Sequence, residues 1–133
     1  GLYAERNPLD GLNAVPVIER EAQIAARLNP ELDHGGPDRI LGELYLRAPG
    51  PPISVGDSSK AVAHYRRAMQ LAPQYLDNRL GLTESLFAAE EVGKACEELT
   101  AVLAEMPPAG ALQTQWGKAL ALLKRFCEIQ SYP

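Results

Sequence analysis

The stretch Lys60 to Pro73, KAVAHYRRAMQLAP, decides the fold. Small or apolar residues recur at Ala61, Tyr65, Ala68 and Leu71, and Pro73 closes the run. Spacings of three and four residues put those side chains on one helical face, and a proline ends the helix because it has no N–H to donate. Small residues on that face let a second helix approach closely, and the aromatic ring fills the gap between them. The same set returns after 34 residues as Ala95, Leu99, Val102 and Pro107.

The period extends outward in both directions. Upstream, Gly1 to Gly11 reads as a partial element, interrupted by Pro8 and the turn-forming pair Asp10-Gly11. A helix is predicted from about Ala14 to Asn29, with apolar positions Ile18, Ala22, Ala25 and Leu28, ended by Pro30. The offsets from Ile18 to Pro30 equal those from Ala61 to Pro73, so this helix reads as the second half of an earlier, truncated repeat. Asp33-His34-Gly35-Gly36-Pro37 reads as a turn into a helix from Pro37 to Arg47 that carries Leu41-Gly42-x2-Tyr45. The proline- and glycine-rich segment 48–57 is a loop, and Asp57 or Ser58 caps the next helix. Downstream, Leu82 and Leu86 repeat the first-helix core, Val92-Gly93 makes a turn, and a last helix runs from about Ala111 to Gln130.

A 34-residue period that combines L-G-x2-Y with A-x3-Y-x2-A-x4-P is the tetratricopeptide (TPR) pattern. The predicted fold is therefore all-α: a TPR-like solenoid of about three helical hairpins over residues 14–133, after a partial element at 1–13. Its last helix is expected to cap the array.

Composition narrows the function. The 133 residues are 46% hydrophobic and 23% charged, ordinary for a globular protein with one core. A net charge of −4 argues against nucleic-acid or anionic-membrane surfaces. No apolar run reaches the roughly 20 residues of a membrane span, and no basic-then-apolar leader opens the chain. Cys96 and Cys127 lie 31 residues apart without ligand-spaced neighbours. They read as two small apolar helix residues, with a disulfide the less favoured alternative.

Catalysis finds little support. His34 sits in the glycine turn, where a structural hydrogen bond is the plainer reading and ligand contact the sharper one. His64 is expected to be exposed, and neither histidine has a nucleophile or carboxylate at a recognisable spacing. The adjacent pairs Glu90-Glu91 and Glu97-Glu98 read as solvated faces. No glycine loop matches a phosphate cradle, and no cofactor is expected. Binding is better supported. In a helical-hairpin array the first helices line the concave face. That places Arg39, Glu43, Leu46 and Arg47 there from the first unit, Asp77, Leu80, Glu84 and Phe87 from the second, and Thr114, Lys118 and Ala121 from the third. This mixture suits a peptide or a small amphipathic acid, with Arg39 or Arg79 able to hold a carboxylate through paired donors. Asn78 and Arg79 beside Tyr75 allow either a ligand contact or a hydrogen-bonded tie back to the 33–37 turn. The loop Pro49 to Gly56, with Ile53 and Val55 as apolar handles, suits docking or self-association, or is a tolerated insertion.

Asp33-His34-Gly35-Gly36-Pro37, Leu41-Gly42-Glu43-Leu44-Tyr45, Gly56-Asp57, Leu71-Ala72-Pro73 and Asn78-Arg79 together resemble the T-component family of TRAP (tripartite ATP-independent periplasmic) transporters. The similarity covers roughly residues 14–130, and Asp33 to Arg79 is its specific part. The resemblance implies a TPR-like, non-enzymatic subunit of the bacterial periplasm, lipid-anchored in many members. It also implies a periplasmic solute-binding protein as partner and an apolar or carboxylate ligand. The chain departs from the family in having no lipobox cysteine and few residues before Ala14. A homo-oligomer is compatible with it, and His34, Tyr75, Asn78 and Arg79 join the candidate ligand- or partner-binding set.

Overall fold

The computed structural model describes residues 8–105 and 113–127. They form α1 (Pro8–Leu28), α2 (Leu32–Arg47), α3 (Ser58–Leu71), α4 (Leu76–Ala88), α5 (Val92–Glu105) and α6 (Gln113–Leu122), followed by a π-helical turn, Leu123–Cys127. No strand occurs among the described residues. Each helix packs on the next, α2 also touches α4, and α5 packs on the terminal π turn, which is the contact order of stacked helical hairpins.

The repeat positions form the core. Ala61, Ala68, Ala95, Leu99 and Val102 are completely buried and Tyr65 nearly so. The Tyr65 ring lies between two helices at glycine notches. A Cβ on Gly42 of α2 would come within 2.6 Å of the ring, and one on Gly81 of α4 would come closer still. Glycine is thus required at both positions by close approach.

Several boundaries differ from expectation. The helix predicted from Ala14 begins at Pro8, so Asp10-Gly11 form no turn. Pro8 sits in the first turn, where proline is tolerated, while Pro16 lies inside the helix, and Val15 and Ala22 are its buried apolar residues. Of the four apolar positions named on this helix, only Ala22 is buried, whereas Ile18 is 41% and Leu28 80% exposed. The turn placed at Val92-Gly93 falls earlier, at Glu90 with φ 62°. There Glu90 N–H donates to Phe87 O and Glu91 N–H to Leu86 O, a Schellman closure with glutamate in the left-handed position. The last helix, expected to run to Gln130, gives way to the π turn after Leu122, and the outer parts of that range lie outside the described residues.

The cysteines also correct the favoured reading, because Cys96 and Cys127 form a disulfide. Packing of α5 on the π turn brings their Cα atoms within 5.7 Å, inside bonding range. In the 48–57 loop, Val55 packs against the core cluster of Ala22, Leu41, Tyr45 and Ala61 while Ile53 is 71% exposed. The loop is pinned by Gly56 N–H to Pro49 O and Asp57 N–H to Tyr45 O, and Asp57 Oδ1 caps α3 by accepting from Lys60 N–H.

Gly81→Ala should destabilise the protein by about 1–3 kcal/mol, because the new methyl meets a ring that cannot retreat. Gly93→Ala, with nothing near its Cβ position, should stabilise α5 by about 0.5–1 kcal/mol. Urea unfolding of both variants checks the pair, and similar effects in the two would refute the notch.

Candidate functional site

Two constellations gather most of the predicted residues. The first is a tie around the 33–37 turn. Asp33, His34 and Gly35 all adopt positive φ (50°, 57° and 78°), a conformation that costs non-glycine residues roughly 1–2 kcal/mol each. Arg39 holds the turn. Its Nη1 donates to His34 O (3.2 Å) and Asn78 Oδ1 (3.1 Å), and its Nη2 donates to Asp33 O (3.1 Å) and Asp33 Oδ2 (2.9 Å). Asn78 is fully buried, and its Nδ2 lies within hydrogen-bond range of His34 O (2.9 Å), Ala68 O (3.2 Å) and Ala72 O (3.3 Å). Tyr75 stacks on the His34 ring at 4.6 Å, and the Arg39 guanidinium lies over its face at the same distance. Of the two alternatives for Asn78, the structure realises the tie to the turn. Arg79 is only 11% exposed at its side chain and pairs with Glu105.

The second constellation is a groove of about 400 Å³ between α2, α4 and α6. Arg39, Glu43 and Arg47 of α2 line it with Asp77, Leu80 and Glu84 of α4 and Lys118 of α6. Arg47 donates to Glu43 Oε1 and Glu84 Oε2, both at 2.7 Å, and Lys118 Nζ reaches Glu84 Oε1 at 2.7 Å. Tyr65 Oη donates to Glu43 Oε2 at 2.7 Å, so the core aromatic also supplies a polar atom to the groove. Burial, and then the bond to Glu43, raise the Tyr65 pKa well above the ordinary range, so the phenol stays a donor. Burial alone would raise Glu84, but Lys118 and Arg47 outweigh it and hold its pKa below the usual carboxylate value.

The concave-face prediction is therefore partly met. Gln115 lines the groove, whereas Thr114, Ala121, Leu46 and Phe87 do not. Phe87 packs on Phe126 with ring centroids 4.9 Å apart, and Leu46 packs against the core around Tyr65. Helix rotation explains both, because apolar side chains are drawn to the neighbouring helix rather than to the groove.

Two further pairings were not legible from spacing. His64 is half-buried rather than exposed, with Nδ1 2.9 Å from Oδ1 of the fully buried Asp38 and its ring 5.5 Å from that of Tyr45. Tyr45 Oη donates to Glu19 Oε2 at 2.6 Å, and burial, then Glu19, push its pKa up to about 12. The cleft beside His64 is lined by Gln23, Ala26, Arg27, Leu41 and Arg67 and offers no serine, threonine or cysteine nucleophile. Glu98, read as part of a solvated face, is half-buried and its Oε2 has no hydrogen-bond partner, while Glu97 is exposed. Among the described residues no cluster of three His, Cys, Asp or Glu side chains could hold a metal ion. No family model matches this chain, and no curated protein matches it.

Asn78→Ala should cost about 1–3 kcal/mol by orphaning buried carbonyls, with urea titration as the measure. Glu84 contributes stability above its unfolded pKa, near 4.5, and loses that contribution as pH falls through its lowered folded value. The stability difference between the parent and Glu84→Gln should therefore shrink as pH is lowered past that window. A difference unchanged across the same range would show that Glu84 is not held ionised by its partners.

Proposed function

We propose that the protein is a non-enzymatic binding subunit, a periplasmic accessory component of a TRAP-type uptake system. It engages the solute-binding protein and takes an apolar or carboxylate ligand in the groove between α2, α4 and α6. One observation carries the ligand reading: successive first helices bring Glu43, Arg47, Glu84 and Lys118 around a partly apolar floor that includes Leu80. Lys118 Nζ has three N–H donors and the side chain is 55% exposed, so an incoming carboxylate can share it with Glu84. Arg47 offers a planar fork at the same rim. Arg39 and Arg79, the earlier candidates for carboxylate capture, have structural partners and are weaker choices.

Two observations support the wider reading. The Asp33–Pro37 and Asn78-Arg79 segments, which carry the resemblance, meet through Asn78, Arg39 and His34 O. The Cys96–Cys127 disulfide suits an oxidising compartment such as the periplasm. Among the described residues, no helix is long and apolar enough to cross a membrane. A second reading, a protein-assembling scaffold without a small ligand, is favoured by the closed ion-pair network, in which Glu43, Arg47, Glu84 and Lys118 are already paired within the chain.

Native mass spectrometry of the purified protein, alone and with a panel of aliphatic carboxylates, separates the two. The ligand reading expects a bound carboxylate whose affinity falls tenfold or more in Lys118→Ala and in Arg47→Ala, the loss of a charge-assisted hydrogen bond worth about 1.5–3 kcal/mol. No mass increment with any carboxylate, together with intact binding of a protein partner, would leave only the scaffold.

A further inference from the structure

Asp38 is the only fully buried acidic residue among the described residues. A carboxylate taken out of water is costly unless partners answer its charge. Its Oδ2 has no hydrogen-bond partner. Its Oδ1 lies 2.9 Å from His64 Nδ1, and Arg67 Nη1 stands at a long 3.5 Å from the same oxygen. The pairing fixes the histidine. A carboxylate only accepts, so the imidazole N–H lies on Nδ1, and Nε2 is left without a partner among the described residues. Tyr45 stacks on the ring, with centroids 5.5 Å apart, and holds its plane.

That ring forms part of the wall of the cleft of about 300 Å³ bounded by α1, α2 and α3. Arg27 lines it from α1 and Arg67 from α3, with Ala26 and Leu41 as apolar lining. The Arg27 side chain has no ion pair or hydrogen bond among the described residues. Arg67 directs one N–H of its five toward Asp38 and keeps the others free. Glu19 accepts from Tyr45 Oη and does not line the cleft. Two guanidiniums therefore outnumber the single buried carboxylate, and an anion is the ligand that such a surplus recruits.

The histidine narrows the kind of anion. A phosphate monoester sheds its second proton at a pH of about 6, close to the value of about 6.5 for a free imidazole. With one proton between them, ring and phosphate bond in either arrangement. A neutral Nε2 accepts from P–O–H, and a protonated one donates to P–O⁻. Sulfate and carboxylates have no proton to give near neutral pH, so they suit only the charged ring. We infer that this cleft binds a small phosphate monoester, with Arg27, Arg67 and His64 Nε2 on its three terminal oxygens and its organic part against Ala26 and Leu41. Asp38 is a positioning residue that sets the tautomer of His64 without touching the ligand. The volume is at the small end for ligand sites, which favours a compact metabolite over a nucleotide. The cleft shares no lining residue with the groove between α2, α4 and α6, so this site and the transport reading can fail separately.

The test is calorimetric titration of the purified protein near pH 7 with inorganic phosphate, glycerol phosphate, sulfate and acetate. Both phosphates should bind saturably, roughly tenfold or more tighter than sulfate or acetate. Arg27→Gln and Arg67→Gln should each weaken that binding about tenfold, the loss of a charge-assisted hydrogen bond. Both arginines are exposed, and thermal melts matching the parent would establish that the variants are folded. Nitrogen NMR of the two histidines gives a readout at the atom itself. Free His64 should show the Nδ1–H tautomer, and phosphate should shift its Nε2 while leaving His34 unmoved. Asp38→Asn should relax the tautomer preference. Absence of saturable phosphate binding, or sulfate binding as tightly as phosphate, would overturn the proposal. So would binding indifferent to both arginine substitutions, or a phosphate-induced shift at His34 in place of His64.

Discussion

The ring of Tyr65 sits where two helices would otherwise collide or leave a hole. Gly42 and Gly81 face it from α2 and α4, and neither position has room for a methyl group. Because protein interiors are close-packed, that ring sets the spacing of α2 from α4. The spacing in turn determines the width of the groove in which Glu43, Arg47 and Glu84 meet. The same side chain spans both environments, since its hydroxyl leaves the core to donate to Glu43. A phenol kept protonated by burial is suited to that position, because it donates at every pH the fold experiences near neutrality.

Around this wedge the chain is stapled at two further places. At the start of α2, two non-glycine residues and Gly35 in left-handed conformation are held by Arg39 and Asn78. Unfavourable backbone geometry survives only where the surroundings over-determine it, and here four side-chain hydrogen bonds reach Asp33 and His34 while a fifth joins Arg39 to Asn78. Toward the C-terminal side the Cys96–Cys127 disulfide joins α5 to the π turn. Closing a loop of that length restricts the unfolded chain by about 3–4 kcal/mol in the chain-entropy account.

Two grooves differ in kind. The groove between α2, α4 and α6 is rich in charge, and Glu43, Arg47, Glu84 and Lys118 pair with one another there, so recognition through them requires exchange of partners. A second groove, between α1 and α2, is mainly apolar, with Val15, Ile18, Ile40 and Leu44 in its lining. Ile40, Glu43 and Arg47 border both. The two grooves therefore share part of one wall along α2.

How much was legible in the sequence follows from the range of the forces involved. The helices, the 34-residue register, the Asp57 cap and the burial of Ala61, Tyr65 and Ala68 were determined locally, by periodicity, proline stops and side-chain size. Those signals act within a few turns of helix and survive without tertiary context. The same signals placed Arg39, Glu43, Arg47, Asp77, Leu80, Glu84 and Lys118 on one face, and the structure gathers them in one groove. What tertiary packing alone decided is which partner each polar group meets. His64 finds Asp38 across 26 residues, Asn78 finds His34 O across 44, and Cys96 finds Cys127 across 31. Each pairing depends on the rotation of one helix against another, and the compositional pattern of either helix is blind to that angle. The apolar stripe of α1 divides for the same reason: Ala22 joins the cluster of Leu41 and Tyr45 from α2, while Ile18 and Leu28, which read as core in the sequence, are left exposed because packing covers only one side of the helix.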